Sequence, residues 1–184
     1  INNLFDRAYS LVTGVRVEQK RQSAFADVFL PPSKRGMSDS VGVAFDHQEI
    51  SNLEVDRSSI GAIREYTQGI NEYRLGLNFQ LEERSALGVN FGNTQALVAS
   101  SSWTRAAVDN RLNPTEGYIA FGQVALADEQ FASDQSFLRL YGRFQRFWSP
   151  SRDHLFTARF EAGTVAASAR RDIPQDYLFR AGGT

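Results

Sequence analysis

"INEYRLGLNFQLEE", residues 70–83, sets Tyr73, Leu75, Leu77, Phe79 and Leu81 at odd positions and Arg74, Gly76, Asn78, Gln80 and Glu82 at even ones. Successive side chains of an extended strand point to opposite faces, so strict alternation predicts a strand with one apolar and one polar face. Two architectures use such a strand in opposite senses. A soluble sandwich turns the apolar face inward onto a core; a membrane barrel turns it outward onto lipid and lines a wet interior with the polar face.

Composition narrows the choice without making it. The chain has 184 residues, 42% hydrophobic, and a mean hydropathy of -0.35. No run of eighteen apolar residues occurs, so no membrane helix is predicted. A barrel strand needs only about ten residues, half of them polar, and escapes that test. The net charge of -1 gives no electrostatic reason to expect nucleic acid as a partner, although arginine supplies nearly all the positive charge and Lys20 and Lys34 are the only lysines. Cysteine is absent, which excludes disulfides and thiolate metal sites and suits passage through an oxidising periplasm. The sequence opens on Ile1 without a charged-then-apolar leader, the pattern expected of a chain beginning in mid-protein or after processing.

The period of two recurs along the chain. "AYSLVTGVRVE" sets Tyr9, Leu11, Thr13, Val15 and Val17 on one face, and "FADVFLPP" returns with Ala26, Val28 and Leu30 before its prolines stop it. "SVGVAFDHQ" offers Val41, Val43 and Phe45; "ALGVNFGN" offers Leu87, Val89 and Phe91. "GYIAFGQVALA", "SFLRLYGRFQRFW" and "HLFTARFEAGTVA" follow, giving about nine strands and no segment of helical period.

Connections differ in length. "TQGIN", "LNPTEG" and "SPSRD" are short, whereas "HQEISNLEVD", "ADEQFASDQ" and residues 168–184 are longer and more polar, as expected of the two ends of an outer-membrane barrel with short turns in the periplasm. Tyr66, Tyr73, Tyr118, Phe147, Trp148 and Phe156 gather beside the short turns, where an interfacial girdle would lie. Aromatic residues also favour the strand ends of ordinary sheets, so this clue does not stand alone.

Antiparallel partners keep a constant index sum, which allows a register to be written down. If Tyr66 faces Tyr73, then Arg64 faces Leu75, Ala62 faces Leu77 and Ile60 faces Phe79, with Arg64 able to snorkel to water. Around "SPSRD" the same construction sets Leu140, Phe144, Phe156, Ala158 and Phe160 on one face and Arg139, Tyr141, Arg143, Arg159 and Glu161 on the other. Ala62, Gly122, Ala158 and Ala162 on the apolar face would leave gaps in a close-packed core but are acceptable against fluid lipid. The pattern therefore favours a transmembrane barrel over a soluble all-β sandwich.

"DNRLNPTEGYIAFG", residues 109–122, resembles the short D-x-R-x-x-P-x-x-G turn and following strand of the BamA/TamA outer-membrane protein assembly barrel superfamily. "RRDIPQDYLFRAGGT", residues 170–184, is similar to that family's run-in to its signature loop, and residues 137–165 are similar to the hairpin between the two motifs. Residues 3–32 resemble an early hairpin of its TamA branch. The resemblance carries Asp109, Arg111, Pro114 and Gly117 onto the turn motif and Gly182 and Gly183 onto the loop entry. Pro114 and Gly117 would shape the turn, while Asp109 and Arg111 would cap backbone groups or pair with each other.

The resemblance further implies a partial antiparallel up-and-down transmembrane β-barrel, about nine of an expected sixteen strands. Residues 1–184 would then be a fragment of a single barrel domain lacking the first two strands, the last five and the periplasmic POTRA domains. The signature Arg falls beyond Thr184, and a V-R-G-Y continuation there would support the assignment. The implied function is a non-enzymatic insertase in the bacterial outer membrane, assembling autotransporters and other barrel proteins with a TamB-like periplasm-spanning partner, without cofactor or catalytic residues. The alternative is a two-partner secretion transporter or porin-like channel, whose lumen would carry Arg74, Arg139, Arg143, Arg159 and Glu161.

Other chemistry is thin. His47 and His154, the only histidines, are far apart and predict no metal site. Ser100–Ser102 lack a nucleophile elbow and read as a strand end beside Trp103. "FGN" and "GYIAFG" open no helix and are not phosphate loops. Glu82 with Glu83, and Asp128 with Glu129, read as solvated loop charges rather than acid pairs.

Overall fold

Alternation along the chain becomes one continuous meander. The computed structural model describes residues 2–4, 8–50, 53–87, 89–151, 154–167 and 173–178. Ten strands follow in order: β1 (Asn2–Leu4), β2 (Tyr9–Val17), β3 (Arg21–Phe29), β4 (Met37–Ile50), β5 (Leu53–Gln68), β6 (Asn71–Ala86), β7 (Val89–Val108), β8 (Gly117–Ala127), β9 (Phe137–Ser151) and β10 (His154–Ala167). Each pairs antiparallel with its sequence neighbours in a single ten-stranded sheet, and among the described residues β1 does not meet β10. The tenth strand beyond the expected nine is the short β1. One 3-10 turn, Gln175–Tyr177, is the only helical element among the described residues.

The register written from the sequence is the observed one: Tyr66 faces Tyr73, Arg64 faces Leu75, Ala62 faces Leu77 and Ile60 faces Phe79. Carried from strand to strand, it gives two unlike surfaces. Val41, Val43, Ile60, Leu75, Leu77, Leu140, Phe144 and Phe160 share the apolar face, where Leu75 is 55% and Leu77 50% exposed. Among the described residues no second layer of the chain covers them. A surface of this extent is disfavoured in water and suited to hydrocarbon. The opposite face holds the buried residues, among them Gln80, Glu82, Thr94, Ala96, Val98, Ala125 and Phe137. Residues 173–178 touch that face on β5 through β9 at once, so the sheet curves around them and their side is the concave, luminal one.

Three expectations need correction. "HQEISNLEVD" is mostly strand, with β4 running to Ile50 and β5 resuming at Leu53. A hairpin that projects past the apolar band is polar on both faces and imitates a loop in sequence, although its ladder continues and His47 Nδ1 sits 2.7 Å from Asp56 Oδ1 across it. Connections at the two ends therefore differ less in length than expected. Leu87 does not share a face with Val89, because it occupies a left-handed turn at φ 53° and a bulge opposite Arg84–Ser85, with Gly92 at φ 116°, breaks the alternation. Finally, Ser100–Ser102 lie inside the 20-residue β7, not at a strand end.

Aromatic rings mark one end of the apolar face. Tyr66 and Tyr73 stack at 6.3 Å, Tyr118 and Phe144 at 5.7 Å, and Trp148 meets Phe156 at 5.5 Å, all near the turns that follow β5, β7 and β9. Arg64 does not snorkel alone. Its guanidinium donates to both oxygens of Asp39, at 2.7 and 2.9 Å, on the facing strand.

Candidate functional site

The luminal face carries two polar groups and one apolar seat. On β5, Arg57 stands directly opposite Glu82 of β6, with Nη2 to Oε2 at 3.0 Å. Arg84 reaches the other Glu82 oxygen at 3.2 Å and donates to Thr94 Oγ1 of β7 at 2.9 Å. Toward the other side, Arg57 lies 3.8 Å from Asp46 of β4, which accepts from Arg21 of β3 at 3.0 Å. One chain of charge thus crosses four strands, β3 to β6, and ends on the Thr94 hydroxyl of β7, and Glu82 within it is 1% exposed. Reading Glu82 as a solvated loop charge is therefore wrong: the strand continues beneath it and the curve of the sheet takes it out of water. Asp128 and Glu129 do lie in the β8–β9 loop, where they accept hydrogen bonds from Gln130 and Ser136 backbone N–H groups.

The apolar seat lies beside this chain. Ala96 and Val98 of β7, Ala125 and Ala127 of β8 and Phe137 of β9 pack against Ile173, which is fully buried. Pro174 is buried with it, and Tyr177 stacks obliquely on Phe137 at 5.3 Å. Polar anchors complete the seating. Asp176 Oδ2 lies 3.2 Å from Arg57 Nη1, and Asn78 Nδ2 donates to Tyr177 Oη at 3.4 Å. Burial pushes the Tyr177 phenol above its ordinary pKa. Residues 173–178 thus form a strap held on the luminal wall by apolar packing of Ile173, Tyr177 and Leu178 and by the ion pair of Asp176 between them.

The second polar group lies on β8–β10. Arg139 donates to Gln123 Oε1 at 2.6 Å and lies over the Tyr141 ring, and Arg143 lies over the Phe121 ring, both at 5.6 Å. Glu161 accepts from Tyr141 Oη at 2.6 Å and pairs with Arg159 on its own strand. Arg74 is elsewhere, toward the aromatic end of β6, 3.4 Å from Glu65.

The turn that follows β7 is built around Asp109. Its carboxylate accepts from the Thr115 hydroxyl at 2.6 Å and from the backbone N–H groups of Thr115 and Glu116 at 2.9 and 3.0 Å. Those bonds, the Thr115 hydroxyl first, hold its pKa well below the usual carboxylate range. Arg111 does not pair with Asp109. It reaches to the neighbouring hairpin, 3.2 Å from Glu72 and 3.0 Å from the Gly69 carbonyl. Pro114 lies within the turn, and Gly117 closes it at φ 109°, where a Cβ would stand 2.1 Å from the Ala107 carbonyl oxygen. Gly182 and Gly183 lie outside the described residues.

The Omp85 superfamily domain matches residues 3–184. The chain belongs to the Omp85 superfamily. Among solved structures, BamA from Haemophilus ducreyi lacking POTRA domains 1–3 superposes with a TM-score of 0.82 at 13% identity, over 99% of this chain and 40% of that one. The match shows a shared fold, and this chain spans less than half the length of its neighbour. No curated protein matches at a significant level. As an Omp85 member the chain is part of an outer-membrane β-barrel protein, in a family concerned with protein assembly and transport.

Sequence reasoning missed the centre of this Omp85 lumen. Arg57, Glu82 and Arg84 were within reach, because the constant sum that pairs Tyr66 with Tyr73 also pairs Arg57 with Glu82. The seat for Ile173 was signalled by Ala96, Val98, Ala125 and Phe137, apolar residues in the luminal phase of their strands. Nothing local marks Asp176 as their partner.

Proposed function

We propose that the parent protein is a non-enzymatic outer-membrane assembly factor that folds and inserts other β-barrel proteins. The supporting observation is the occupied lumen of an Omp85 sheet. Ile173 and Pro174 are buried on the inner wall and Asp176 is ion-paired to Arg57, so chain occupies space that a conduit would leave to water. Outside, bare apolar strands face lipid, and unpaired strand edges in hydrocarbon are costly enough to drive pairing with an incoming strand. Mechanistically, a client would add strands to an edge of the barrel while a short-stranded flank thins the bilayer; β2 and β3 have nine residues each against twenty in β7.

Within the superfamily the reading is a TamA-type subunit. Residues 1–184 would be a fragment of its barrel, preceded by POTRA domains, with a TamB-like partner across the periplasm and autotransporters among its clients. The support is the resemblance of residues 3–32 to that branch. In this scheme Asp109, Arg111, Pro114 and Gly117 hold the periplasmic turn, Gly182 and Gly183 open the signature loop, and Arg74, Arg139, Arg143, Arg159 and Glu161 keep the lumen polar.

The test is reconstitution of the parent protein in lipid vesicles with a urea-unfolded autotransporter barrel, following protease-protected, heat-modifiable product. Accelerated insertion is expected. If insertion matches empty vesicles while the same preparation conducts ions steadily in planar bilayers, the channel alternative replaces this reading.

A further inference from the structure

Most strand arginines have a carboxylate partner: Arg57, Arg64, Arg74, Arg84 and Arg159 all do. Two on the lipid-facing side do not. Arg105 of β7 and Arg146 of β9 flank Tyr118 of β8, with Arg146 directly opposite Tyr118 and Arg105 Nε donating to Tyr118 Oη at 2.9 Å. Neither has a carboxylate oxygen within ion-pair distance among the described residues, Glu116 of the adjoining turn included. They share their face with Trp103, two residues before Arg105, and Trp148, two residues after Arg146, the aromatic rings that mark the membrane boundary.

We infer that Arg105, Tyr118 and Arg146 form a binding site for the phosphate of an anionic glycerophospholipid. A guanidinium at the boundary of hydrocarbon needs an anion, and its planar fork matches two phosphate oxygens. Among the described residues Arg146 meets no hydrogen-bond or ion-pair partner, which leaves its fork to donate. The Tyr118 hydroxyl accepts from Arg105 and keeps its own proton for a third bond to phosphate. Phe144, stacked on Tyr118 at 5.7 Å, and the apolar strands beyond it continue from the site toward the bilayer centre, where acyl chains would lie. A free phosphate ion would use only the head of this surface. Assigning the phospholipid to the periplasmic leaflet rests on the topology proposed above; the site itself rests only on the lipid-facing orientation.

Competition of brominated phosphatidylglycerol against unbrominated phosphatidylcholine, and of the reverse pair, tests it. The parent protein is placed in detergent-lipid mixtures with any tryptophan outside residues 1–184 replaced by phenylalanine, so that Trp103 and Trp148, the only two in the chain, report quenching from beside the site. Phosphatidylglycerol is expected to be preferred, and R146Q to reduce that preference about five-fold. R105Q/R146Q should abolish it, while the luminal R74Q leaves it intact. Arg146 makes no hydrogen bond or ion pair among the described residues, so R146Q is expected to fold and alone suffices if the double variant does not. An unchanged ratio in R146Q, an equal loss in R74Q, or displacement by millimolar inorganic phosphate would each overturn the site. Insertase activity is a separate measurement, so a lipid preference that persists without it refutes the proposed function and not this site.

Discussion

Arg57 Nη2 lies 3.0 Å from Glu82 Oε2, and the Glu82 side chain has no solvent exposure at all. Arg57 and Arg84 share that one carboxylate, and although Arg57 also pairs with Asp46 and Asp176, its removal takes away the buried negative charge that lies between the two cations. Glu82→Ala is expected to lower the stability of the parent barrel by about 3 kcal/mol, with Glu82→Gln milder. Urea unfolding in detergent measures both. A double-mutant cycle with Arg57→Gln should show coupling, and strict additivity would count against the pair as an energetic unit.

That pair also shows where reading the chain stopped. The apolar face, the strand type and the register around Tyr66 and Tyr73 follow from local rules, since alternation and a tight turn fix which side chains meet. Polarity was a poorer guide. It made a loop of the β4–β5 hairpin, because a ladder projecting beyond lipid looks polar on both faces, and it made Glu82 solvated, because burial there is created by the curvature of the sheet. The docking of Ile173 on β7–β9 is a contact across one to three intervening strands, which no local pattern encodes.

Leu77 lies midway along β6, 50% exposed on the outer face and opposite Ala62. Leu77→Arg would place a charge against hydrocarbon and is expected to cost about 2–4 kcal/mol in a folded barrel. Leu87→Arg, in the exposed β6–β7 turn, should be nearly neutral. Equal effects in a lipid-vesicle folding titration would contradict the outward orientation of the apolar face.

Gly117 and Gly36 both have positive φ, at 109° and 74°, but differ in surroundings. A Cβ on Gly36 meets nothing within 4 Å, whereas one on Gly117 meets the Ala107 oxygen at 2.1 Å and Val108 Cα at 2.8 Å. Gly36→Ala is expected to cost about 1 kcal/mol. Gly117→Ala must displace backbone and should cost about 3 kcal/mol or more. The yield of heat-modifiable barrel for the two variants separates steric conflict from φ preference.

Asp109 accepts three hydrogen bonds as a carboxylate, and its pKa is lowered in the folded turn. A depressed folded pKa means the contribution is fully present above the unfolded value, near 4, and is lost as pH falls through the folded one. Amide exchange of Thr115 and Glu116, corrected for intrinsic rates, should therefore stay slow from neutrality down to about pH 4 and quicken below it. Asp109→Ala should show fast exchange throughout. An exchange step near pH 6 would instead implicate a group other than Asp109.

Ile173 holds the strap by shape, and Asp176 holds it by charge. Ile173→Asp would bury a carboxylate among Ala96, Val98 and Phe137, a placement costing several kcal/mol, so the strap is expected to leave its seat while the strands remain paired. Asp176→Asn removes only the ion pair and should loosen the strap without releasing it. Single-channel recordings of the parent barrel distinguish the two: larger and noisier conductance for I173D, near wild-type behaviour for D176N. If I173D conducts no better than wild type, the strap is not what narrows the lumen, and the occupied-lumen support for an assembly role falls with it.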